Sequence, residues 1–464
     1  MIVKTRFAPS PTGLIHFGNV RTALFNWLFA KHEQGNILLR IEDTDAERSS
    51  DEYIHALMRD LEWLGLEWDE GEKHPKALGP YRQSHRTSLY ETHLHRLEET
   101  GQVYPCFCSV AELEISRKLQ AQASKPPRYS GKCANLSVAE IERKKAEGRD
   151  YTLRFRMPRG SLLTFNDLVR GPQSYPSDDI GDFIIRRSDG TFAFFFVNAI
   201  DDALMEVTHV LRGEDHLTNT PRQIALLQAL GLPIPEYGHI SLIVDSKGSP
   251  LSKRSGSMSM EALRNKGYFP LAINNYLARL GHHYVSDGFL DMQGLAEGFM
   301  LANLGRAPAR YERSQLDHWQ ALALHETSDG KVWEWLRESV KDWVGEKDGA
   351  EFVSVIRHNI LFPEDARVWA RVLFADPLDI TDDAAKVLNE TDRDFFGIAV
   401  SLLEHNMDFL SYTQRIKNET GRSGKGLFMP LRAALTGNIH GPEMPGVFRL
   451  LGFDRVRGRL TRLA

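Results

Sequence analysis

Two patterns of apolar and polar positions alternate along the first half of the chain. Short apolar runs, typical of buried strands, lie at residues 2–7, 37–41, 192–197 and 239–244. Stretches with apolar residues at helical spacing lie at residues 20–31, 51–64 and 220–229. This alternation predicts an α/β doubly wound nucleotide-binding core.

The pattern changes between the two halves of this predicted core, at residues 90–189. Helical spacing is found at 111–122 and 137–148, and strand-like runs at 151–157 and 162–167. We therefore expect an α+β insertion between the two halves.

Beyond residue 261 the strand signal largely disappears. Helical spacing recurs at residues 263–280, 332–344, 352–359, 394–410 and 446–460. The C-terminal third is predicted to form all-α helical domains, with most of its tryptophans in their cores. The resulting division has five parts, at residues 1–89, 90–189, 190–245, 246–328 and 329–464.

The composition is that of an ordinary globular protein with several domains: 464 residues, of which 42% are hydrophobic. The start of the chain lacks the features of a signal peptide, and no apolar run approaches the roughly 18 residues of a membrane span. A cytoplasmic location and no membrane partner are expected. The net charge of −5 does not indicate a nucleic-acid binder, so RNA binding would need local basic patches such as 125–132 or 449–462.

The most informative segment is residues 6–19, Arg-Phe-Ala-Pro-Ser-Pro-Thr-Gly-Leu-Ile-His-Phe-Gly-Asn. It joins the first predicted strand to the first predicted helix. Free N–H groups and the helix dipole stabilise a phosphate at such a helix N-terminus. Gly18 permits close approach of a ligand, while His16 and Asn19 supply side-chain donors. Taken alone, a His before a helix is more often a cap or a surface residue.

This segment, followed by Arg-Ile-Glu-Asp-Thr-Asp at 40–45, closely resembles the N-terminal block of class I glutamyl-tRNA synthetases. Further blocks resemble that family in its order along essentially the whole chain. They are residues 79–84, 207–216, 219–223, Leu-Ser-Lys-Arg at 251–254, and 428–437.

The resemblance implies a Rossmann-type catalytic core, an insertion that packs against the acceptor end of tRNA, and linking and anticodon-binding helical domains. It also implies that glutamate is activated with ATP and Mg²⁺ and then transferred to tRNA-Glu, tRNA-Gln or both, by a monomer. His16, Asn19 and Lys253 are the implied catalytic residues. The implied ATP-binding residues are His16, Gly18, Asn19, Asp215, Leu242, Ile243, Leu251 and Lys253.

The implied glutamate-binding residues are Arg6, Ala8, Ser10, Glu42, Phe194, Asn198 and Arg212. A guanidinium suits a carboxylate because it can donate two parallel hydrogen bonds, and a carboxylate suits the substrate ammonium. Considered alone, Arg212 is better interpreted as part of an ion pair at a strand end, and Glu42 as a charge at a helix N-terminus. The chain departs from the family pattern at three positions: Phe194 replaces Tyr, Ala203 replaces His, and Pro250 replaces Lys, for which Lys247 is a candidate substitute.

Three cysteines, Cys106, Cys108 and Cys133, offer soft ligands for a tetrahedral zinc site. Related enzymes use a Tyr four residues before the last Cys, and Tyr129 stands there, so these four residues are the predicted ligands. A degenerate knuckle without metal is the alternative, because Cys-x-Cys is tighter than the usual zinc spacing.

Three other functions are compatible with the resemblance. One is a catalytically weakened paralogue that binds tRNA or a partner, and another is a glutaminyl enzyme. The third is a truncated relative that loads glutamate onto a tRNA base, although such proteins lack an anticodon-binding domain. For RNA contact, Lys425 and Arg432 are the favoured residues of the C-terminal third.

Overall fold

The computed structural model describes residues 2–45, 47–122, 128–251 and 258–464. The chain forms two compact units. The first comprises Met1–Ala262 with Ile273–Arg313, and the second comprises Leu263–Ala272 with Ser314–Ala464. Within the described ranges, no helix is long and apolar enough to cross a membrane.

The first unit begins with a strand–helix–strand motif. Its elements are β1 (Lys4–Phe7), α1 (Phe17–His32), β2 (Asn36–Leu39) and α2 (Asp51–Trp63). β1 and β2 pair in parallel. The hydroxyl of Ser50 caps α2 by accepting the N–H of Tyr53. These four elements confirm the predicted start of the chain.

The insertion follows as a mixed α+β segment, as predicted. Its elements are α3 (Thr87–Glu99), β3 (Val103–Cys106), α4 (Val110–Gln122), α5 (Val138–Ala146), β4 (Thr152–Phe155), β5 (Leu162–Asp167), β6 (Gly171–Pro176), α6 (Ser177–Ile180) and β7 (Phe183–Arg186). β4 lies between β3 and β7 in an antiparallel sheet, and β5 and β6 form an antiparallel hairpin. The strands β3, β6 and β7 were not predicted, since their short runs carry Pro, Gly or Arg.

The second half of the core returns to parallel pairing. Its elements are α7 (Phe194–Leu204), β8 (His209–Gly213), α8 (Thr220–Leu230), β9 (Glu236–Ile240) and β10 (Ile243–Val244). β8 pairs in parallel with β9, and the Thr208 N–H donates to the Lys4 carbonyl at 2.9 Å, which joins this half to β1. The Rossmann-type α/β core is thereby confirmed.

Two strand predictions in this half need correction. Residues 192–197 were predicted as a strand, but α7 begins at Phe194 and only Phe192 forms a bridge, with Arg186. Periodicity cannot separate a buried helix from a buried strand in so short an apolar run. The predicted strand at 239–244 is two strands, because pairing with β8 ends at Ile240.

The helical third contains α9 (Met260–Lys266), α10 (Pro270–Arg279), α11 (Met292–Glu297), the short strand β11 (Ala309–Arg310), α12 (Arg313–Glu326), α13 (Asp329–Val340), α14 (Gly349–Ile356), α15 (Pro363–Phe374), α16 (Asp382–Glu390), α17 (Arg393–Ser401), α18 (Phe409–Thr420), α19 (Lys425–Thr436) and α20 (Met444–Thr461). One large apolar core unites the helices from α13 onward. Trp333, Trp335, Trp343 and Trp369 are partly buried and pack against this core, whereas Trp319 of α12 is buried.

Three predicted helices of this third are interrupted. Gly267, at φ +96°, and Pro270 divide residues 263–280 into α9 and α10. Residues 394–410 contain α17 and only the start of α18. The last helix, α20, has a kink at Gly452, where φ is 69° and ψ is 171°.

Candidate active site

A cavity of about 570 Å³ lies where β1 and β8 end and α1 begins. It contains most of the residues that the sequence singled out, although they come from distant parts of the chain. The predicted residues that line it are Arg6, Ala8, Ser10, His16, Gly18, Asn19, Glu42, Phe194, Asn198, Arg212, Asp215, Leu242 and Ile243. The predicted amino-acid and nucleotide residues therefore share one cavity.

Of the second signature segment, 251–254, only Leu251 is among the described residues. Lys253 lies outside the described residues, and Leu251 is not among the cavity-lining residues. The Leu251 N–H donates to the carbonyl of Ile243 at 2.9 Å, and Ser259 forms a bridge with His16. On either side of Lys253 in the sequence, the chain thus contacts residues that line the cavity.

Arg212, at the end of β8, is almost fully buried, with 5% of its surface exposed. Its Nε lies 3.2 Å from Nε2 of His239, and its Nη2 donates to Thr220 Oγ1 at 2.8 Å and to Gln223 Oε1 at 2.6 Å. Burial lowers the pKa of Arg212 to about 10, so it remains cationic at neutral pH. Its Nη1 is buried and has no hydrogen-bond partner among the described residues.

Glu42, which follows β2, is buried to a similar degree, with 5% exposed. Its Oε1 accepts hydrogen bonds from Arg40 at 3.0 Å and from Nδ2 of Asn198 at 2.5 Å. Burial raises the pKa of Glu42, and Arg40 offsets only part of that rise. The cavity therefore presents a carboxylate as well as a guanidinium.

Arg6 is held from behind by an acidic residue of α7. Its Nε lies 3.2 Å from Oδ1 of Asp202, which also accepts a hydrogen bond from Arg40 at 2.8 Å. Burial alone would raise the pKa of Asp202, but Arg6 and Arg40 keep it below its usual value. Arg40 and Asp202 are not among the predicted site residues, although two adjacent aspartates in an apolar stretch are a usable signal.

The departures from the family pattern fall at different places. Phe194 lines the cavity, and its ring centroid lies 5.3 Å from that of His216, a lining residue that was not predicted. Burial, with Arg212 nearby, lowers the pKa of His216 to about 4. Ala203 packs in an apolar cluster with Ala199 and Leu227, away from the cavity.

Arg21 and Lys247 differ in their relation to the cavity. Arg21 lines the cavity but donates to the carbonyls of Leu280, at 2.9 Å, and Ser241. Lys247 is exposed and is not among the lining residues.

The two residues predicted for RNA contact lie in the second unit. Lys425 is exposed, whereas Arg432 donates to the carbonyl of Pro442 at 2.9 Å.

The cysteines form a second cluster in the insertion, with ligand atoms within 4.8 Å of one another. Sγ atoms of Cys108 and Cys133 are 3.7 Å apart, and the Tyr129 hydroxyl lies 3.3 Å from Sγ of Cys106 and 3.6 Å from Sγ of Cys108. Tetrahedral Zn–S bonds of 2.3 Å place two sulfurs about 3.8 Å apart, so this spacing fits zinc. A hydrogen bond with Cys133 lowers the pKa of Cys106 to about 4, which favours a thiolate.

Comparisons with known proteins cover the whole chain. A family model described as tRNA synthetases class I (E and Q), catalytic domain, matches residues 2–318, and one described as anticodon binding domain matches residues 331–464. A protein of Nitrosococcus oceani named glutamate–tRNA ligase 2 is 54% identical over 99% of this chain and 97% of its own length. Glutamate–tRNA ligase 1 of Methylococcus capsulatus is 51% identical, over 99% and 98% respectively.

Solved structures agree with these matches. A crystal structure of a glutamate tRNA ligase from Elizabethkingia meningosepticum in complex with its amino acid has a TM-score of 0.91 at 27% identity. It covers 100% of this chain and 99% of that one.

Proposed function

This chain belongs to the class I tRNA synthetases for glutamate and glutamine, and we propose that it is a glutamate–tRNA ligase. The α-carboxylate of glutamate attacks the α-phosphate of ATP, which enters as its Mg²⁺ complex, and pyrophosphate leaves. A hydroxyl of the 3′-terminal ribose of tRNA then attacks the carbonyl carbon of glutamyl-adenylate. AMP leaves, and glutamate remains esterified to the tRNA.

One observation carries this proposal: the buried Nη1 of Arg212, without a partner among the described residues, shares a cavity with the buried carboxylate of Glu42. Desolvated charges of opposite sign suit a ligand that carries both a carboxylate and an ammonium. Arg212 binds the side-chain carboxylate of glutamate, and Glu42 binds the α-ammonium. The remaining glutamate-binding residues are Arg6, Ala8, Ser10, Phe194 and Asn198.

The nucleotide binds beside the start of α1. The N–H groups of its first turn and the helix dipole favour the phosphates there. Contacts to ATP come from His16, Gly18, Asn19, Asp215, Leu242, Ile243, Leu251 and Lys253. The main-chain anchors of Leu251 and Ser259 beside the cavity support a role for Lys253, which lies between them in the sequence.

Catalysis consists of positioning and of electrostatic stabilisation. Two anionic reactants must meet, and negative charge accumulates on the α-phosphate in the transition state. His16 and Asn19 donate hydrogen bonds to the phosphates, and the ammonium of Lys253 stabilises the developing charge. Preorganised donors of this kind lower the barrier because they need no reorientation during the reaction.

The tRNA extends beyond the cavity. The insertion receives its acceptor end. The match of residues 331–464 to an anticodon binding domain supports charging of the 3′ end of tRNA over loading of a tRNA base, because the truncated relatives that load a base lack such a domain. The chain acts as a monomer.

A structural zinc ion held by Cys106, Cys108, Tyr129 and Cys133 belongs to the same proposal. The sulfur and phenol spacings and the lowered pKa of Cys106 support it. When bound, the ion would link the end of β3 and the residues that follow it to the loop that carries Tyr129 and Cys133.

The test is tRNA charging by the purified chain, with ATP, radiolabelled glutamate, and tRNA-Glu or tRNA-Gln supplied separately. ATP-dependent and tRNA-dependent formation of glutamyl-tRNA is expected. Glutamine in place of glutamate tests for a glutaminyl enzyme. If neither amino acid supports charging or pyrophosphate exchange with any tRNA, a binding protein without catalytic activity remains.

A further inference from the structure

Behind Arg212 lies a buried carboxylate–imidazole pair that the proposed mechanism does not use. Oδ2 of Asp167, at the end of β5, is 2.5 Å from Nδ1 of His239 on β9. Asp167 is 1% exposed and His239 is fully buried. Neither residue lines the cavity, so any effect on a ligand must pass through a neighbour.

Backbone hydrogen bonds determine which His239 nitrogen carries the proton. Oδ1 of Asp167 accepts the N–H groups of Val169 at 2.9 Å, of Arg170 at 2.8 Å and of His239 at 3.2 Å. Burial alone would raise the pKa of Asp167, but its hydrogen bonds with His239 and these N–H groups keep that pKa low. Burial lowers the pKa of His239, which is therefore neutral. An ionised Asp167 can only accept, so Nδ1 of His239 donates to it.

Nε2 of His239 is then an acceptor. It lies 3.2 Å from Nε of Arg212, which donates to it, and 3.0 Å from Oγ1 of Thr220. With Nη2 of Arg212 bound to Thr220 and Gln223, two of the three guanidinium nitrogens are fixed. The orientation of the third, Nη1, follows because the guanidinium is planar and rigid.

We propose that Asp167 and His239 are positioning residues for amino-acid recognition: they hold Arg212 so that its Nη1 meets the side-chain carboxylate of the substrate. The inference rests on the proposed function, since it takes glutamate as the ligand of Arg212. It concerns binding of the amino acid and leaves the ATP-binding residues untouched.

The variant Asp167→Asn tests the proton arrangement. Its amide oxygen must stay on the three backbone N–H groups, so its NH₂ faces Nδ1 of His239. Nδ1 must then accept, so the imidazole proton moves to Nε2. Nε2–H and the Nε–H of Arg212 are then two donors facing each other, and their hydrogen bond is lost. The tRNA-charging assay should give a KM for glutamate at least tenfold higher, with the KM for ATP within twofold of wild type. Asp182→Asn, at a buried carboxylate of the insertion that accepts the Met157 N–H, is the matched control and should leave both KM values within twofold.

A pair of His239 variants separates positioning from packing. His239→Gln can retain an acceptor near the place of Nε2, whereas His239→Asn retains only a donor for Asp167. We expect a rise in the KM for glutamate of at least tenfold with Asn and of less than threefold with Gln. If Asp167→Asn does not fold, the comparison of the two His239 variants tests the proposal by itself.

Two results would overturn the inference while wild type charges glutamate. One is a KM for glutamate within twofold of wild type in Asp167→Asn, and the other is an equal or larger rise in His239→Gln than in His239→Asn. Failure of the wild type to charge glutamate would instead overturn the proposed function.

Discussion

Arg212 and Glu42 are connected by two amide side chains. Nη2 of Arg212 donates to Oε1 of Gln223 at 2.6 Å, Nε2 of Gln223 donates to Oδ1 of Asn198 at 2.8 Å, and Nδ2 of Asn198 donates to Glu42 at 2.5 Å. Each amide is used as both donor and acceptor, so its orientation is determined. The two charged groups proposed to bind glutamate thus belong to one buried network.

Arg212→Lys should impair use of glutamate despite preserving the charge. A single ammonium cannot replace the three nitrogens that contact His239, the Thr220–Gln223 pair and the substrate. Loss of one charge-assisted hydrogen bond costs about 2 kcal/mol, or roughly 30-fold in kcat/KM for glutamate. Arg222→Lys, on the same helix as Gln223 but outside the cavity, should stay near wild type. Comparable charging kinetics for the two variants would contradict the role of Arg212.

The raised pKa of Glu42 predicts how kcat/KM for glutamate falls at acid pH. As the pH falls, Glu42 protonates at a higher pH than an ordinary glutamate, and the site loses the charge that binds the substrate ammonium. kcat/KM reports the free enzyme, so kcat/KM for glutamate should decline with falling pH at a higher pH than the titration of an ordinary glutamate would produce. Glu42→Gln should abolish this acid-side decline in kcat/KM along with most of the activity. If the decline is unchanged in Glu42→Gln, it arises from the titration of another group.

Phe194→Tyr should improve binding of the amino acid. The added hydroxyl enters a cavity that already contains Arg212 and His216, where it can donate to a substrate carboxylate. One such bond contributes about 1 kcal/mol, or roughly a fivefold lower KM for glutamate. Phe195→Tyr is the control, because Phe195 packs on Phe183 and does not line the cavity. An equal effect in both variants would exclude a specific contact.

Lys253→Met should act on the chemical step. Removing one transition-state donor costs about 3 kcal/mol, which is roughly a hundredfold in kcat, with little change in the KM for glutamate. Lys247→Met provides the comparison, since Lys247 is exposed and is not a cavity-lining residue. The rate of adenylate formation, measured in the pre-steady state, would distinguish the two variants. A larger loss with Lys247→Met would mean that Lys247 compensates for Pro250.

The cysteine cluster should bind about one zinc ion per chain. Mass spectrometry of protein purified without chelator measures the metal, and Cys108→Ser should lose it and have a lower Tm. Chelator treatment of wild type should lower the Tm in the same way, and added zinc should restore it. A stoichiometry near zero in untreated wild type would leave a metal-free knuckle.

The strand–helix start of the chain, the presence of the insertion, the helical third and most cavity residues could be predicted because they leave local or motif-level signals. Phe194 shows where this fails, since the apolar run around it fits a strand as well as a buried helix. The contacts of Asp167 with His239 and of Gln223 with Asn198 could not be predicted. The partners are 72 residues apart in the first contact and 25 in the second, and neither Asp167 nor His239 lies in a motif that distinguishes it from an ordinary polar residue of the core.

The connected side chains between Arg212 and Glu42 also limit how amino-acid preference can change. Each member depends on the orientation of the next, so effects of paired substitutions in Gln223 and Asn198 will not add. A change that lets this pocket accept an amino acid with a neutral side chain would therefore require several coordinated substitutions. Most single substitutions would leave a buried hydrogen-bond donor or acceptor without a partner.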